Sequence, residues 1–174
     1  RYFMRSLGWG IITAATIYLA SLVLPENETP WIAFFIIMLY TLMEIDKRML
    51  LLPDILTVPL LIVGFSYAVF AGGMLGYEPA ASAANSALGA AAGYVIPVIA
   101  SLFLIKKYPE AFGGGDIKLL SAVGSWVGLT NIPYVILLSC LLFAVSCFIN
   151  KQRQGAFGPS IVIASLIISF LSEY

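Results

Sequence analysis

The sequence contains no histidine, and only 10% of its 174 residues are charged. The first absence removes the commonest metal ligand, the usual general base and every Ser–His or Cys–His nucleophile system. The second excludes a soluble domain. Such domains carry about 25% charged residues, and a supply this thin cannot coat a water-facing surface of this size. Cysteine is scarce as well: Cys140 and Cys147 are the only two. They form no CxxC pair and no zinc spacing. Seven apart, they fall on one face of a helix within an apolar stretch and read as small hydrophobic fillers. Positive charge is not in excess, because nine Lys and Arg balance nine Asp and Glu. No basic patch therefore points to nucleic acid. Fixed-period repeats, low-complexity tracts and dividing linkers are also missing, which predicts a single domain over residues 1–174.

What the chain has in abundance is apolar surface: 61% hydrophobic residues and a mean hydropathy of +0.99. Lipid is the natural solvent for such a chain. Seven apolar runs follow one another: Leu7–Leu24, Trp31–Ile45, Ile55–Phe70 with an extension to Tyr77, Ser82–Ile105, Ile117–Thr130, Pro133–Ile149 and Pro159–Leu171. The first is long enough to span and is followed by no small-residue cleavage site, so it reads as a span and not as a cleaved signal peptide. The second, fifth and seventh fall short of the roughly 20 residues a crossing needs. Pro53 predicts that the second continues as helix to Leu52, a length of about 33 Å.

Charge placement sets the orientation. With the N-terminus inside and seven spans, the inner segments hold Arg1, Arg5, Lys47, Arg48, Lys106, Lys107, Lys118, Lys151 and Arg153, which are all nine basic residues. The outer segments hold Glu26, Glu28, Glu78 and Glu173 and no Lys or Arg. Lys and Arg mark the cytoplasmic side. The expected fold is therefore all-α: a polytopic transmembrane helix bundle of about seven spans (six to seven), with its N-terminus cytoplasmic. Gly89-xxx-Gly93 and Gly124-xxx-Gly128 predict close helix packing inside the bundle, with homodimerisation as the alternative. Pro97 predicts a kink in the fourth span, and Asn85 a buried amide.

Five acids fall on the inner side: Glu44, Asp46, Asp54, Glu110 and Asp116. The segment Glu44-Ile-Asp-Lys-Arg-Met-Leu-Leu-Leu-Pro-Asp54 places Asp46 near the inner end of the second helix. The segment Phe112-Gly-Gly-Gly-Asp-Ile-Lys118 places Asp116 at the inner start of the fifth. Topology alone thus brings two carboxylates to one depth. Acids at the edge of hydrocarbon are costly and mark functional sites. Two held close together cannot both ionise easily, so one keeps a proton, and such a pair can activate water and protonate a leaving amine. Plainer readings stay open beside this one. Asp116 could be only a helix N-cap, and Asp46, next to Lys47 and Arg48, a solvated interface charge. Asp54 reads as a cap for the third helix. Glu44 reads as an inward polar residue or a partner of Lys47 or Arg48, and Glu110 as a loop charge. Gly113, Gly114 and Gly115 permit unusual backbone angles and close approach of another segment. They are not a phosphate loop, because Asp follows where Lys and Ser or Thr are needed. Lys118 either favours a neighbouring carboxylate's charge or anchors at the interface.

These segments resemble those of the type IV prepilin peptidase family, the leader peptidases of type IV pilus and type II secretion systems. The first match is Ile45-Asp46 running to Pro53-Asp54-Ile55-Leu56-Thr57. The second is Gly113-Gly114-Gly115-Asp116-Ile117-Lys118, and a weaker third is Phe157-Gly158-Pro159. The similarity runs from about residue 31 to the end. It implies an aspartic endopeptidase of the bacterial cytoplasmic (inner) membrane that cuts the basic leader from prepilins or pseudopilins at the cytoplasmic face. Asp46 and Asp116 would then be the catalytic pair, Gly113, Gly114, Gly115 and Lys118 the active-site loop, and Glu44, Pro53 and Asp54 candidate supporting residues. Which Asp is acid and which base is open, since a coupled pair titrates as a unit. No metal and no cofactor is implied. The implied partners are prepilin or pseudopilin substrates and the lipid bilayer; oligomeric state is left open. Full-length relatives carry paired CxxC motifs in an N-terminal cytoplasmic methyltransferase region, and this sequence has no such motif. The expectation is a peptidase domain over 1–174 with that region absent. The Gly-x-Gly-Asp motif is similar to that of presenilin-type proteases as well, but those pair it with Tyr-Asp, where Ile45 precedes Asp46 here. Two other classes are weighed: a transporter, which would spread acids through the membrane depth, and a non-catalytic assembly protein, which would have lost one Asp.

Overall fold

The computed structural model describes residues 2–23, 27–74, 78–104, 113–150 and 155–172. All regular structure among them is helical: α1 (Tyr2–Val23), α2 (Thr29–Met49), α3 (Asp54–Ala71), α4 (Pro79–Leu104), α5 (Gly114–Asn150) and α6 (Gly158–Ser172). Four stretches are long and apolar enough to cross a bilayer, namely Thr29–Met49, Asp54–Ala71, Pro79–Phe103 and Gly114–Ile149. The apolar parts of α1 (Gly10–Leu22) and α6 (Gly158–Leu171) are shorter. Every helix keeps large apolar side chains exposed on its outer face, among them Ile11, Ile37, Phe70, Phe103, Phe148 and Leu171. That is the surface of a protein whose surroundings are hydrocarbon, and with it the chain is a multi-pass membrane helix bundle.

The core lies among α2, α3, α5 and α6, where Phe35, Leu39, Leu42, Leu60, Leu119, Leu120, Ile132 and Ile161 are fully buried. Trp126 is its centre. Its ring stacks on Phe35 at 4.7 Å and on Tyr67 at 5.5 Å, and its Nε1–H donates to the Leu60 carbonyl at 2.8 Å. An indole N–H sealed in an apolar core needs such an acceptor. α1 packs against α2, and its Ala20 and Ile17 join the edge of this core.

α4 and α5 make the closest helix pair, through the two glycine stripes predicted to pack. A methyl carbon built on Gly89 would lie 2.6 Å from the Gly128 carbonyl carbon, and one on Gly124 would lie 2.7 Å from that of Gly89. Backbone meets backbone there, within one chain. Serine hydroxyls fasten the same interface: Ser86 donates to the Ser125 carbonyl at 2.6 Å and Ser121 to the Ala90 carbonyl at 2.9 Å.

The fifth and sixth apolar runs both lie in α5, which is broken at Gly128 (φ 76°, ψ 176°). Only glycine adopts that backbone comfortably. The break turns the chain back. Phe143, fifteen residues beyond it, packs edge-on against Phe157 at 5.2 Å, and Phe157 adjoins Gly158, which binds Asp46 at the end where α5 began. The two arms, 114–127 and 129–150, measure about 21 and 33 Å at 1.5 Å per residue. Asn85 repairs the break: its Oδ1 accepts the Leu129 N–H at 3.0 Å, a donor that the turn leaves unpaired. Asn85→Ala is expected to cost about 1–3 kcal/mol, the toll of an unmet backbone donor. Thermal unfolding in detergent reads it.

Three expectations are corrected. α2 ends at Met49, not Leu52, because Leu50 takes the left-handed conformation (φ 51°) and its N–H closes on the Asp46 carbonyl. Cys140 is exposed on the outer face of α5, so it fills no core space. The predicted buried amide, Asn85, is half-buried. Of the charges used for orientation, Arg1, Glu26, Lys106, Lys107, Lys151, Arg153 and Glu173, like Glu110 and Phe112, lie outside the described residues.

Candidate active site

α2 carries one inward stripe: Ile32, Phe35, Ile36, Leu39, Leu42, Met43 and then Asp46 are its buried positions. The stripe follows the helical period, so Asp46 is carried inward by the same geometry that buries the leucines, while Lys47 and Arg48 turn outward. Asp46 is 5% exposed. Its Oδ2 accepts the backbone N–H of Gly158 at 2.8 Å. Among the described residues, that is the one hydrogen bond its carboxylate receives.

Asp116 enters from the first turn of α5. Gly113 is the N-cap, since its carbonyl accepts the N–H groups of Asp116 (3.0 Å) and Ile117 (3.3 Å). Asp116 is thus not the cap but the third helical residue, and its carboxylate reaches back to the Gly113 N–H, one half of a capping box. Asp46 and Asp116 are close enough for their charges to act on one another.

Both face one cavity of about 510 Å³, lined by Asp46, Leu50 to Asp54, Gly113 to Asp116 and Lys118. One wall is apolar, from Leu50, Leu51, Leu52 and Pro53. The other is the glycine turn. The three glycines differ in what they do. A methyl on Gly115 would sit 3.0 Å from the Leu52 side chain, so Gly115 lets α5 start hard against the α2–α3 connection. Gly114 faces open space, and neither Gly114 nor Gly115 takes the positive φ that the sequence allowed for.

Asp54 and Lys118 span the cavity mouth. The Lys118 ammonium donates to Asp54 Oδ1 at 2.7 Å and Oδ2 at 2.8 Å. The cap expected of Asp54 is not formed: Pro53 is the N-cap of α3 and no side chain bonds there. The pair is about half exposed on both sides, so solvent screens it. Lys118→Met is expected to change stability by less than about 1 kcal/mol, measured as a shift in Tm. Glu44 does not reach this cavity. It pairs with Arg48, whose Nε donates at 2.7 Å, and lines a separate apolar groove between α1 and α2. Among the described residues, no three His, Cys, Asp or Glu side chains gather as a metal ion would require.

Gly158, which the sequence marks only through the Phe157-Gly158-Pro159 match and not as a site residue, touches Asp46 directly. What stands assembled is a pair of carboxylates from helices far apart in sequence, on a cavity open to a chain segment. Such a pair can accept a proton from water and return one to a leaving group.

The sequence matches the model of the type IV leader peptidase family over residues 33–148. Relatives named prepilin leader peptidase/N-methyltransferase include one from Vibrio cholerae serotype O1, 30% identical over 97% of this chain and 65% of its own length. One from Xanthomonas campestris pv. campestris is 42% identical over 72% of this chain and 44% of its own. One from Escherichia coli K12 is 33% identical over 73% of this chain and 56% of its own. The chain thus spans about half to two thirds of the length of these relatives. No solved structure matches it significantly. The match over the segments that hold both carboxylates is decisive: the chain belongs to the type IV leader peptidase family.

Proposed function

We propose that the chain is the peptidase unit of a membrane aspartyl endopeptidase, which removes the basic leader of type IV prepilins or type II secretion pseudopilins at the cytoplasmic membrane face. The observation that carries this is the shared cavity of Asp46 and Asp116. One carboxylate takes a proton from a water molecule as the oxygen attacks the scissile carbonyl. The other, protonated, gives its proton to the departing amide nitrogen, so the two exchange roles over one turnover. Gly113, Gly114 and Gly115 form the rim over which the peptide lies, with Pro53, Asp54 and Lys118 on the opposite lip. Glu44 takes no part in this reading, because its carboxylate belongs to the α1–α2 groove.

The bundle crosses the membrane seven times with α5 counted as two arms, and its N-terminus is cytoplasmic. Lys47, Arg48 and Lys118 at the carboxylate end, and Glu28 and Glu78 at the far ends of α2 and α4, support that orientation. The membrane is the inner membrane of a bacterium, the substrates are prepilins or pseudopilins, and neither metal nor cofactor enters the reaction. Among the described residues the acids lie at the two ends of the bundle and none lies at mid-span, which speaks against ion coupling.

The test is cleavage. The purified chain in detergent is mixed with a substrate that has a basic leader and a Gly before its apolar helix, and product mass is read. Release of the leader at that Gly is expected. A well-folded protein that cuts none of several such substrates would overturn the proposal.

A further inference from the structure

The α6 N-terminus has a gap in its own capping. Phe157 is the N-cap: its carbonyl accepts the N–H groups of Ser160 (3.0 Å) and Ile161 (3.2 Å). Its side chain offers no acceptor. Pro159 has no N–H, so within this first turn Gly158 holds the remaining free donor. That donor goes to Asp46 Oδ2 at 2.8 Å, across 112 residues of sequence. Asp46 thereby supplies the cap that α6 lacks, and α6 in return fixes one oxygen of Asp46. The approach is so close that a methyl on Gly158 would lie 2.6 Å from Asp46 Oδ2 and 3.0 Å from its Cγ. From the other side, the Phe157 ring rests edge-on against Phe143 of the returning arm of α5.

We propose that the Phe157–Gly158 peptide is a positioning element of the active site: it clamps Asp46 Oδ2 so that the other carboxylate oxygen is the one presented to the cavity, and it requires Gly at 158. This rests on the function proposed above. A free carboxylate on the last turn of a helix samples several rotamers; one held through a single oxygen by a helix end does not. Phe143 sets the height of the clamp, and Gly158 sets its distance.

Two measurements on the full chain test this. In the cleavage assay, Gly158→Ala is expected to lower kcat by about 100-fold, the penalty for displacing a reacting group by about 1 Å, with KM within about threefold. A merely structural glycine would leave kcat per folded molecule unchanged. Thermal unfolding is read in parallel for Gly158→Ala in the wild-type background and in Asp46→Ala. The substitution is expected to lower Tm clearly in the first and much less in the second, because Oδ2 and Cγ are then gone and only Cβ, at 3.1 Å, remains. Equal losses of Tm in both backgrounds would overturn the clamp, as would unchanged kcat in a folded Gly158→Ala protein. Should wild type cut nothing, the Tm cycle still decides the contact between Gly158 and Asp46, and the functional reading fails separately.

Discussion

Asp46→Asn and Asp116→Asn are each expected to reduce leader cleavage by about 10²–10⁴-fold while leaving the fold in place. The amide is nearly the same shape as the carboxylate, and its oxygen can still accept a backbone N–H. At 46 that N–H comes from Gly158, and at 116 from Gly113. Neither helix end loses its cap, so Tm is expected to stay within a few degrees of wild type. The losses come from chemistry instead: an amide can neither take a proton from water nor give one to a leaving nitrogen at ordinary pH. Because the two carboxylates act as a unit, the double variant is expected to be no slower than the worse single one. Single-turnover cleavage by mass spectrometry, with Tm on the same samples, checks both halves. Activity that survives either substitution removes that residue from the mechanism; a collapse in Tm would show that the fold needs the carboxylate itself and not only its capping hydrogen bond.

The largest expected loss of stability lies far from the chemistry, at Gly124. A methyl there would meet the Gly89 carbonyl group and come within 3.1 Å of the Ala90 nitrogen. These are backbone atoms, so no side chain can swing aside. Overpacking an adaptable core costs about 1–3 kcal/mol. Here the two helices must separate, and Gly124→Val is expected to exceed about 4 kcal/mol or to prevent accumulation of folded protein. Separation also strips the Ser86 and Ser121 hydroxyls of the carbonyls they hold across the same interface. Gly10→Ala is the control: nothing lies within 4 Å of the added carbon, and an exposed helix interior gains up to about 1 kcal/mol on such a change. Thermal unfolding in one detergent, with protease resistance at a fixed temperature, orders the two. A Gly124→Val protein as stable as wild type would mean that α4 and α5 do not meet as described.

Much of this was legible in the sequence, for identifiable reasons. Composition and apolar runs gave the helices, since a span must satisfy its own backbone. The two carboxylate segments stood out because acids are rare in such a chain. The ambiguity at Asp46, catalytic group or solvated interface charge, was resolvable by phase: 35, 39, 42 and 46 share one helix face, while 47 and 48 do not. Other features lay beyond local reading. α2 ends three residues before the point that Pro53 predicts, because Leu50, a residue with no turn preference, adopts a left-handed backbone that nothing nearby announces. Asp54 looked like a cap because it follows Pro and opens a helix; its partner, Lys118, is 64 residues away. The fold-back at Gly128 lies two residues before the end of the fifth apolar run, since Asn85, on another helix, fixes where the chain turns. Partners set by tertiary approach leave little trace in spacing.

The bond between Asp46 and Gly158 has a consequence for biosynthesis. It ties the second helix to the last across 112 residues. At about 5–20 residues per second, roughly 6–20 s pass between synthesis of one partner and of the other. Throughout that interval the nascent chain holds an Asp46 whose keeper has not yet been made. An unfinished or truncated chain would therefore enter the bilayer with the carboxylate unclamped, and on the function proposed above it would become competent only with the final helix.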